Sequence, residues 1–210
     1  MAELQGASGE ALAQGVVPIF PLPNVYLFPG CVMPLHIFEP RYRQMIEDQL
    51  DKTGRIVMGA LLEGQRDGEG RPAIHPIAGL GEIGRHERLP DGRFLVWLVG
   101  MARVRIEEVP SNRLYRTVRC ENLEDFPATP EAEARLRPRV KTALLSRAHE
   151  LLNLPDQVPL GHLADLLLQR LPLSAPQMRV LYSEVSVERR ADGALQAHEL
   201  LPRDAQGGAG

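Results

Sequence analysis

The spacing of apolar residues changes once along this chain of 210 residues, between positions 126 and 130. Before that point, short runs rich in Val, Ile and aromatic residues are interrupted by Gly and Pro, which is typical of β-strands joined by turns. After it, apolar residues recur at helical intervals. Leu160, Leu163, Leu167 and Leu171 form one such stripe. The pattern predicts an α+β protein in which a β-rich unit is followed by helices.

In the first part of the chain we predict seven strands and one helix. The strands are expected at residues 17–22, 32–37, 55–62, 74–84, 94–99, 102–109 and 115–122, and the helix at residues 40–50. Asp91-Gly92 tolerates the positive φ angles that tight hairpin turns require, so a hairpin is expected there. Residues 94–99 do not alternate between apolar and polar, and we therefore expect that strand to be covered on both faces.

The second part is predicted to contain three or four helices. The first follows the spacing of Leu136 and Val140, with Pro138 in its first turn or at a kink near its start. Ser174 and Gln177 have the spacing of a capping box, in which the two side chains bind free backbone amides at a helix start. The last helix is expected to reach about residue 201.

These patterns divide the chain into four expected segments. Residues 1–15 are small and polar and are predicted to form a flexible leader, and residues 203–210 are predicted to form a flexible tail. Between them, residues 16–126 are expected to form the β-rich unit and residues 130–202 the helical unit.

Charge and hydropathy restrict the class of protein. The 24 basic and 27 acidic residues leave a net charge of −3, whereas nucleic-acid-binding domains are usually strongly basic. The longest apolar run, residues 94–102, has about half the length that a membrane span needs. The first 15 residues lack the basic start and apolar stretch of a signal peptide, and the 2 cysteines suit a reducing compartment. We therefore expect a cytoplasmic protein without a membrane partner.

The residue patterns do not point to catalysis or to a cofactor. Residues 79–84 spell G-x-G-x-x-G, but no helix is predicted to follow and bind a pyrophosphate. The 6 histidines lack the spacing of a metal site, and neither a nucleophile elbow nor a nucleotide-binding loop occurs. We predict no catalytic residue, no metal and no cofactor. A hydrolase with a site assembled from scattered residues and a small-molecule pocket remain as alternatives.

The segment at residues 16–38 is dense in apolar side chains and carries five prolines, each without a backbone donor. Proline in sheets is confined to edges, strand starts and bulges. Such an edge, beside aromatic residues and a flexible methionine, would present an apolar groove to an unfolded peptide. The candidates for apolar contact are Tyr26, Phe28, Met33 and Phe38. The alternative is that these side chains fill the core of the β-rich unit.

Arginines are concentrated between positions 103 and 119. The set comprises Arg103, Arg105, Arg113, Arg116 and Arg119, against Glu107 and Glu108. If these arginines share one surface, they would be able to contact RNA phosphates. Val104 and Ile106 alternate with arginines, however, as in any half-exposed strand. RNA binding is therefore kept as an alternative function.

Several short motifs occur in an order that is similar to one known family. They are Pro18-Ile19-Phe20-Pro21-Leu22, Phe28-Pro29-Gly30, Met33-Pro34-Leu35, Phe38-Glu39-Pro40-Arg41-Tyr42, Leu89-Pro90-Asp91-Gly92-Arg93 and Gly100-Met101-Ala102-Arg103-Val104-Arg105-Ile106. Together they resemble the N-terminal substrate-recognition domain of Lon proteases, in its free-standing bacterial form. The resemblance covers about residues 16–126, and the helical segment is similar in layout. Ala78 departs from the pattern, because the family usually has Val-Gly there.

The resemblance implies a β pseudobarrel related to the PUA fold with one inserted helix, followed by an α-helical bundle. The ATPase and Ser-Lys protease modules of full Lon proteases are absent from these residues, so we expect a protein that binds polypeptide without cutting it. Unfolded chains or exposed hydrophobic segments are the expected ligands, and a separate protease is a further candidate partner. His36, Glu39, Arg41 and Tyr42 are expected to line the polar edge of the peptide site.

Overall fold

The computed structural model describes residues 15–148, 155 and 157–201. The chain divides into two compact units, Met1–Leu123 and Glu124–Gly210. In the described residues, the first unit contains seven strands and one helix, and the second contains four helices.

The first unit is a closed barrel with two additional strands. Its elements are β1 (Val16–Pro23), β2 (Val32–Ile37), α1 (Pro40–Leu50), β3 (Arg55–Arg66), β4 (Pro72–Ile74), β5 (Ile77–Arg88), β6 (Phe94–Val109) and β7 (Thr117–Asn122). Hydrogen-bonded neighbours follow the order β1-β7-β6-β5-β3, and β1 also pairs in parallel with β3, which closes these five strands into a barrel. The predicted α+β fold, with a β pseudobarrel and one inserted helix, is confirmed.

Strand β6 connects the barrel to a smaller sheet. The second half of β6 pairs with β5 and β7 within the barrel. The first half, residues 94–99, pairs with β2 on one side and with the end of β5 on the other. We call this three-stranded arrangement, made of β2, residues 94–99 of β6 and residues 82–88 of β5, the extension sheet.

Two predicted strand boundaries were wrong. The strand expected at residues 74–84 is interrupted at His75 and Pro76, so β4 and β5 are separate; Pro76 has no N–H to donate to a ladder. The strands expected at residues 94–99 and 102–109 are one strand. Gly100 lets β6 continue, because a Cβ there would lie only 2.0 Å from the carbonyl oxygen of Phe28.

The glycine-rich stretch at residues 79–84 lies within β5 and opens no helix, as predicted. Gly81 has a packing role there, because a Cβ at this position would lie 2.7 Å from the side chain of Leu98. The predicted hairpin joins β5 to β6, with Gly92 at a φ of 82°.

The core of the first unit has two parts. One combines residues of α1 with one face of the extension sheet and comprises Phe20, Leu27, Ile37, Tyr42, Met45, Ile46, Ile56, Met58, Phe94, Val96, Leu98 and Tyr115. The other fills the barrel and comprises Val17, Ile19, Val57, Ala78, Leu80, Val104, Val118 and Cys120. Phe94, Val96 and Leu98 thus lie on the face of the extension sheet that packs in the core with α1, which we call the inner face. The residues between them point to the opposite face, which we call the outer face.

The second unit consists of α2 (Pro130–Leu145), α3 (Leu160–Gln169), α4 (Ala175–Ser183) and α5 (Val187–Glu199). The predicted capping of α4 is confirmed, since the N–H of Ser174 donates to Oε1 of Gln177 at 3.0 Å. Pro138 was expected near the start of α2 but lies in its middle. It has no N–H for the helical hydrogen bond to the carbonyl of Ala134. Helix α5 ends at Glu199, two residues before the expected end.

A buried ion cluster links three segments of this second unit. The guanidinium of Arg190 lies 2.5 Å from Asp125 and 2.9 Å from Asp165, and it also donates to the carbonyl of Glu184 at 2.7 Å. Burial lowers the pKa of Arg190, but the hydrogen bond to Asp125 and the charge of Asp165 raise it by more. The buried arginine therefore stays charged.

Candidate functional site

The extension sheet has a buried inner face and an accessible outer face. On the outer face, three β2 residues lie opposite three β6 residues, as Val32 with Val99, Pro34 with Trp97, and His36 with Leu95. Val32 is 57% exposed, and Phe38, directly after β2, is 60% exposed. The three β6 residues are half-buried. We call these seven residues the apolar face: Val32, Pro34, His36, Phe38, Leu95, Trp97 and Val99.

The accessibility of the apolar face overturns one expectation. Residues 94–99 were expected to be covered on both faces of the sheet, and that prediction was wrong. Phe94, Val96 and Leu98 are buried in the core that includes α1. Leu95 and Trp97 point the other way and are only half-buried. The apolar run of this strand thus supplies both a core and a surface.

Two charged residues border the apolar face on the β5 side. In the β5–β6 ladder, Arg85 lies opposite Trp97 and Glu87 opposite Leu95, so both charged side chains share the outer face. The guanidinium carbon of Arg85 lies 4.8 Å from the centre of the Trp97 ring. A guanidinium stacked on an aromatic ring in this way is held by a cation–π interaction. The half-buried tryptophan is therefore contacted by a cation on its β5 side.

Strand β2 is an edge strand, since among the described strands it pairs with β6 alone. Pro34 lies in its centre and has no N–H to offer to an additional strand. Edge prolines hinder the pairing of a further strand. A ligand is therefore expected to meet the side chains of the apolar face, and the backbone edge of β2 is a poorer partner.

The structure brings together four of the eight residues predicted for peptide binding. His36 and Phe38 lie on the apolar face, with their ring centres 5.9 Å apart. Glu39 and Arg41 follow at the start of α1, where the Arg41 guanidinium donates two hydrogen bonds to Oε2 of Glu39 (3.0 and 2.7 Å). These four residues form a continuous strip at one end of the face.

The other four predicted residues lie elsewhere. Phe28 and Tyr42 are buried, with 1% and 6% of their surface exposed, and Tyr42 packs on Phe20 with ring centres 4.3 Å apart. Met33 packs against the inner core, and Tyr26 is half-buried. Phe28 and Tyr42 therefore belong to the core, in line with the alternative that these side chains fill the β-rich unit, and neither lies on the apolar face.

Sequence reasoning missed five residues of the apolar face: Val32, Pro34, Leu95, Trp97 and Val99. The available signal was the uninterrupted apolar run at residues 94–99, which contains the 1 tryptophan of the chain. That run was interpreted as a doubly covered strand, because the pattern alone does not show that β2, β6 and β5 form a sheet with only one buried face.

The five arginines of the RNA alternative do not form one basic surface. Arg103 is buried and Arg105 is exposed. The other three have carboxylate partners: Arg113 lies 3.4 Å from Asp48, Arg116 lies 3.3 Å from Asp67, and Arg119 lies 3.3 Å from Glu107. Pairing of this kind reduces the positive potential that phosphate binding requires.

Arg113 and Arg116 also line a surface cavity of about 350 Å³, together with Arg41, Arg71 and Leu114. A neighbouring cavity of about 560 Å³ shares Leu61 and Pro72 with it. The guanidinium groups in the first cavity are already engaged, since Arg71 contacts Asp67 and Glu108, and Arg41 contacts Glu39. The cavity is therefore a weaker candidate for ligand binding than the apolar face.

A metal-ligand cluster or the buried thiol of Cys120 would be a possible chemical site among the described residues. These residues include no group of three or more His, Cys, Asp or Glu side chains able to hold a metal ion. Burial raises the pKa of Cys120 to about 11, so its thiol stays protonated at neutral pH and is a poor nucleophile. Burial also lowers the pKa of His162. Helices long and apolar enough to span a membrane are absent from the described part of the chain.

Sequence comparison relates the chain to Lon proteases. Residues 16–197 match the sequence model of the ATP-dependent protease La (LON) substrate-binding domain. The Lon protease of Flavobacterium johnsoniae is 29% identical over 145 residues, which are 67% of this chain and 18% of that protein. The Lon protease of Trichlorobacter lovleyi is 25% identical over 205 residues, which are 91% of this chain and 25% of that protein. The chain thus spans about a quarter or less of the length of these relatives.

Solved structures show the same fold. The N-terminal domain of Mycobacterium avium complex Lon protease superposes with a TM-score of 0.69 at 19% identity, covering 89% of this chain and 99% of that one. A Lon N-terminal domain protein from Xanthomonas campestris superposes with a TM-score of 0.64 at 22% identity, covering 90% and 99%. The motif order, the fold and the matched family model agree, and the chain belongs to the LON substrate-binding domain family.

Proposed function

We propose that this protein captures unfolded polypeptides or exposed hydrophobic segments on the apolar face, and that it does so without cutting them. The observation that carries the proposal is the exposure of Val32 and Phe38 beside the half-buried Trp97 on the outer side of the extension sheet. Contiguous apolar surface on a folded protein commonly marks an interaction site. Membership of a substrate-binding domain family supports polypeptide as the ligand.

The shape of the apolar face favours tolerance of many sequences. The face combines the exposed Phe38 ring with the half-buried Trp97 ring, and flat rings contact apolar groups of varied shape. Burying one large apolar side chain contributes about 1.5–3 kcal/mol, and ordering a flexible peptide opposes this gain. Two or three such contacts would give weak binding with rapid release, as suits a protein that samples unfolded chains.

Polar groups at the margin of the face would complete the contact. His36 lies at one end, beside the Glu39–Arg41 pair, and its ring nitrogens are the polar groups proposed to meet the backbone of a bound segment, because Arg41 and Glu39 already bind each other. An unfolded chain carries unpaired backbone N–H and C=O groups, whereas a folded protein has already paired most of its own. This difference supports selection of unfolded ligands.

Binding without cleavage is supported by the match to a substrate-binding domain, and the cysteine in the barrel core is not an activated nucleophile. The thiol of Cys120 is buried in the barrel core and has its pKa raised to about 11. A separate protease is the partner that would consume the captured chain.

The proposal can be tested with the protein's own fluorescence, because Trp97 is its 1 tryptophan. A reduced and alkylated model protein that lacks tryptophan is titrated into the chain. We expect a saturable blue shift of Trp97 emission at micromolar to tens of micromolar ligand, and no shift with the native form of the same model protein. The double variant Val32→Ser/Phe38→Ser should weaken binding at least tenfold.

The matched control is Val180→Ser, which removes a side chain that is 70% exposed in the helical unit and should leave the affinity unchanged. Absence of a saturable shift up to about 100 µM ligand contradicts the proposal. A salt titration separates it from RNA binding, because phosphate contacts weaken steeply with ionic strength. Tight, salt-sensitive binding of single-stranded RNA, with none of denatured protein, would favour the alternative function.

A further inference from the structure

Arg85 and Glu87 stand out among the charged residues near the apolar face. They are two residues apart on β5, they share the outer face, and both are exposed. Other arginines of this region have carboxylate partners: Arg41 with Glu39 and Arg93 with Asp91, and on the inner side of the sheet Arg88 with Glu47. Within the described residues, neither Arg85 nor Glu87 takes part in an ion pair. A positive and a negative group thus lie side by side at the border of an apolar surface.

We propose that two copies of this protein associate through their apolar faces. The twofold axis lies parallel to the extension sheet, perpendicular to its strands, and passes between two rows of residues. One row is Arg85, Trp97 and Pro34; the other is Glu87, Leu95 and His36. Rotation about this axis places Arg85 of each copy over Glu87 of the other, and Trp97 of each copy over Leu95 of the other.

The arrangement of charge is the reason for choosing a second copy as the occupant. A twofold interface uses the same patch on both partners, so the patch must be complementary to itself. Adjacent opposite charges meet this requirement and form two equivalent ion pairs, whereas a face with charges of one sign would repel its copy. Face-to-face packing of two sheets is also a common arrangement, with the strands of the two sheets about 30° apart.

The size of the face predicts a weak dimer. The extension sheet has three short strands, and a stable dimer buries about 800 Å² on each partner. We therefore expect association in the range of tens to hundreds of micromolar. Pro34 in the edge strand also disfavours the other simple dimer, in which two β2 strands would pair to form one continuous sheet.

Self-association would compete with polypeptide capture, and this consequence rests on the proposed function. The dimer covers Trp97 and Val32, the side chains through which a polypeptide is proposed to bind. At high protein concentration and without unfolded chains, the apolar surface would be protected in the dimer. Unfolded polypeptide would shift the population to monomers.

The test is analytical ultracentrifugation between about 1 and 500 µM protein, with three variants. Arg85→Glu places two acidic groups on each face and Glu87→Arg places two basic groups, so each variant should dimerise at least tenfold more weakly than the wild type. A mixture of the two variants should form a heterodimer, because each acidic pair then meets a basic pair. Arg105→Glu is the matched control, since Arg105 is exposed outside the extension sheet and should not affect dimerisation.

A wild type that stays monomeric to 500 µM overturns the proposal, as does a mixture of the two variants that associates no better than either alone. Far-UV circular dichroism of each variant establishes that it is folded. Polypeptide affinity is measured separately at about 1 µM protein, where the chain is monomeric. A monomeric wild type that still binds polypeptide overturns only the dimer, and a dimer that binds no polypeptide overturns only the proposed function.

Discussion

The Nε atom of Arg190 lies 2.9 Å from Oδ1 of Asp165, with the two side chains only 1% and 5% exposed. Arg190 belongs to α5 and Asp165 to α3, so the ion pair joins two helices in the interior of the second unit. Removing one partner of such a pair leaves the other charge buried and uncompensated, which costs more than the pair itself contributes.

Replacing Asp165 tests this relationship. Asp165→Ala should lower the free energy of unfolding by about 3–5 kcal/mol, because Arg190 would lose one of its two carboxylates in a buried position. Urea unfolding followed by far-UV circular dichroism measures the change. Glu199→Ala is the control, since it breaks an exposed pair with Arg139 and should cost less than about 1 kcal/mol. Equal effects of the two substitutions would show that burial adds nothing to this pair.

Gly100→Ala should destabilise the β unit. The added Cβ would lie 2.0 Å from the carbonyl oxygen of Phe28, and backbone must move to make room. Overpacking of this kind costs about 1–3 kcal/mol, which thermal unfolding of the variant measures. Gly68→Ala is the control, because its Cβ would meet nothing within 4 Å. If both variants unfold at the same temperature as the wild type, the contact between Gly100 and the carbonyl of Phe28 does not restrict the residue at position 100.

The stability of the protein should decrease at alkaline pH, because Tyr115 has a higher pKa in the folded state than in the unfolded chain. Burial raises the pKa of Tyr115 to about 12, and the hydrogen bond that its hydroxyl donates to Asp48 at 2.6 Å adds to this shift. In the unfolded chain a tyrosine ionises near pH 10. Above that pH the unfolded state has lost a proton that the folded state keeps, so the free energy of unfolding decreases as pH rises.

The measurement is urea unfolding of the wild type and of Tyr115→Phe between pH 8 and about 11. The variant should be less stable near pH 8, because the hydrogen bond to Asp48 is lost. Its stability should then fall less steeply than that of the wild type above about pH 9.5. Parallel curves for the two proteins would mean that Tyr115 does not titrate differently in the folded and unfolded states.

Thiol labelling should distinguish the two cysteines. Cys120 is buried and has its pKa raised to about 11 by that burial, so it should resist a thiolate-selective reagent at pH 8 in the native protein. Cys31 is half-buried and should account for the reaction that is seen. Cys120→Ala is therefore expected to label like the wild type under native conditions. In urea, both thiols of the wild type should react. Rapid native labelling of Cys120 in a Cys31→Ala variant would contradict its assigned burial.

Local patterns predicted much of the fold. The change of apolar spacing near residue 126, the hairpin at Gly92 and the capping pair at Ser174 each depend on a few neighbouring residues, and each occurs in the structure. The motif order also identified the family. The continuity of β6 through Gly100 could not be predicted in the same way, since it depends on the carbonyl of Phe28, which is distant in sequence.

The candidate site was predicted only in part, for a physical reason that two phenylalanines illustrate. Phe28 and Phe38 lie in similar proline-rich surroundings, yet one is buried and the other is 60% exposed. Residue type does not distinguish them, because exposure depends on contacts made after distant parts of the chain assemble, such as the approach of Phe28 to Gly100 in β6. The same limitation hid Trp97, whose neighbours along the strand are all apolar.

The position of β6 has a consequence for how the apolar face can adapt to a ligand. Residues 94–99 have hydrogen-bonded neighbours on both sides, and the same strand continues into the barrel between β5 and β7. Local opening would have to break two ladders at once, so we expect the amide protons of this strand to exchange with solvent only when the whole unit unfolds. The backbone beneath Trp97 is thus as stiff as the barrel. For the proposed binding of polypeptides, we therefore expect differing sequences to be accommodated by rotamer changes of Trp97 and Phe38.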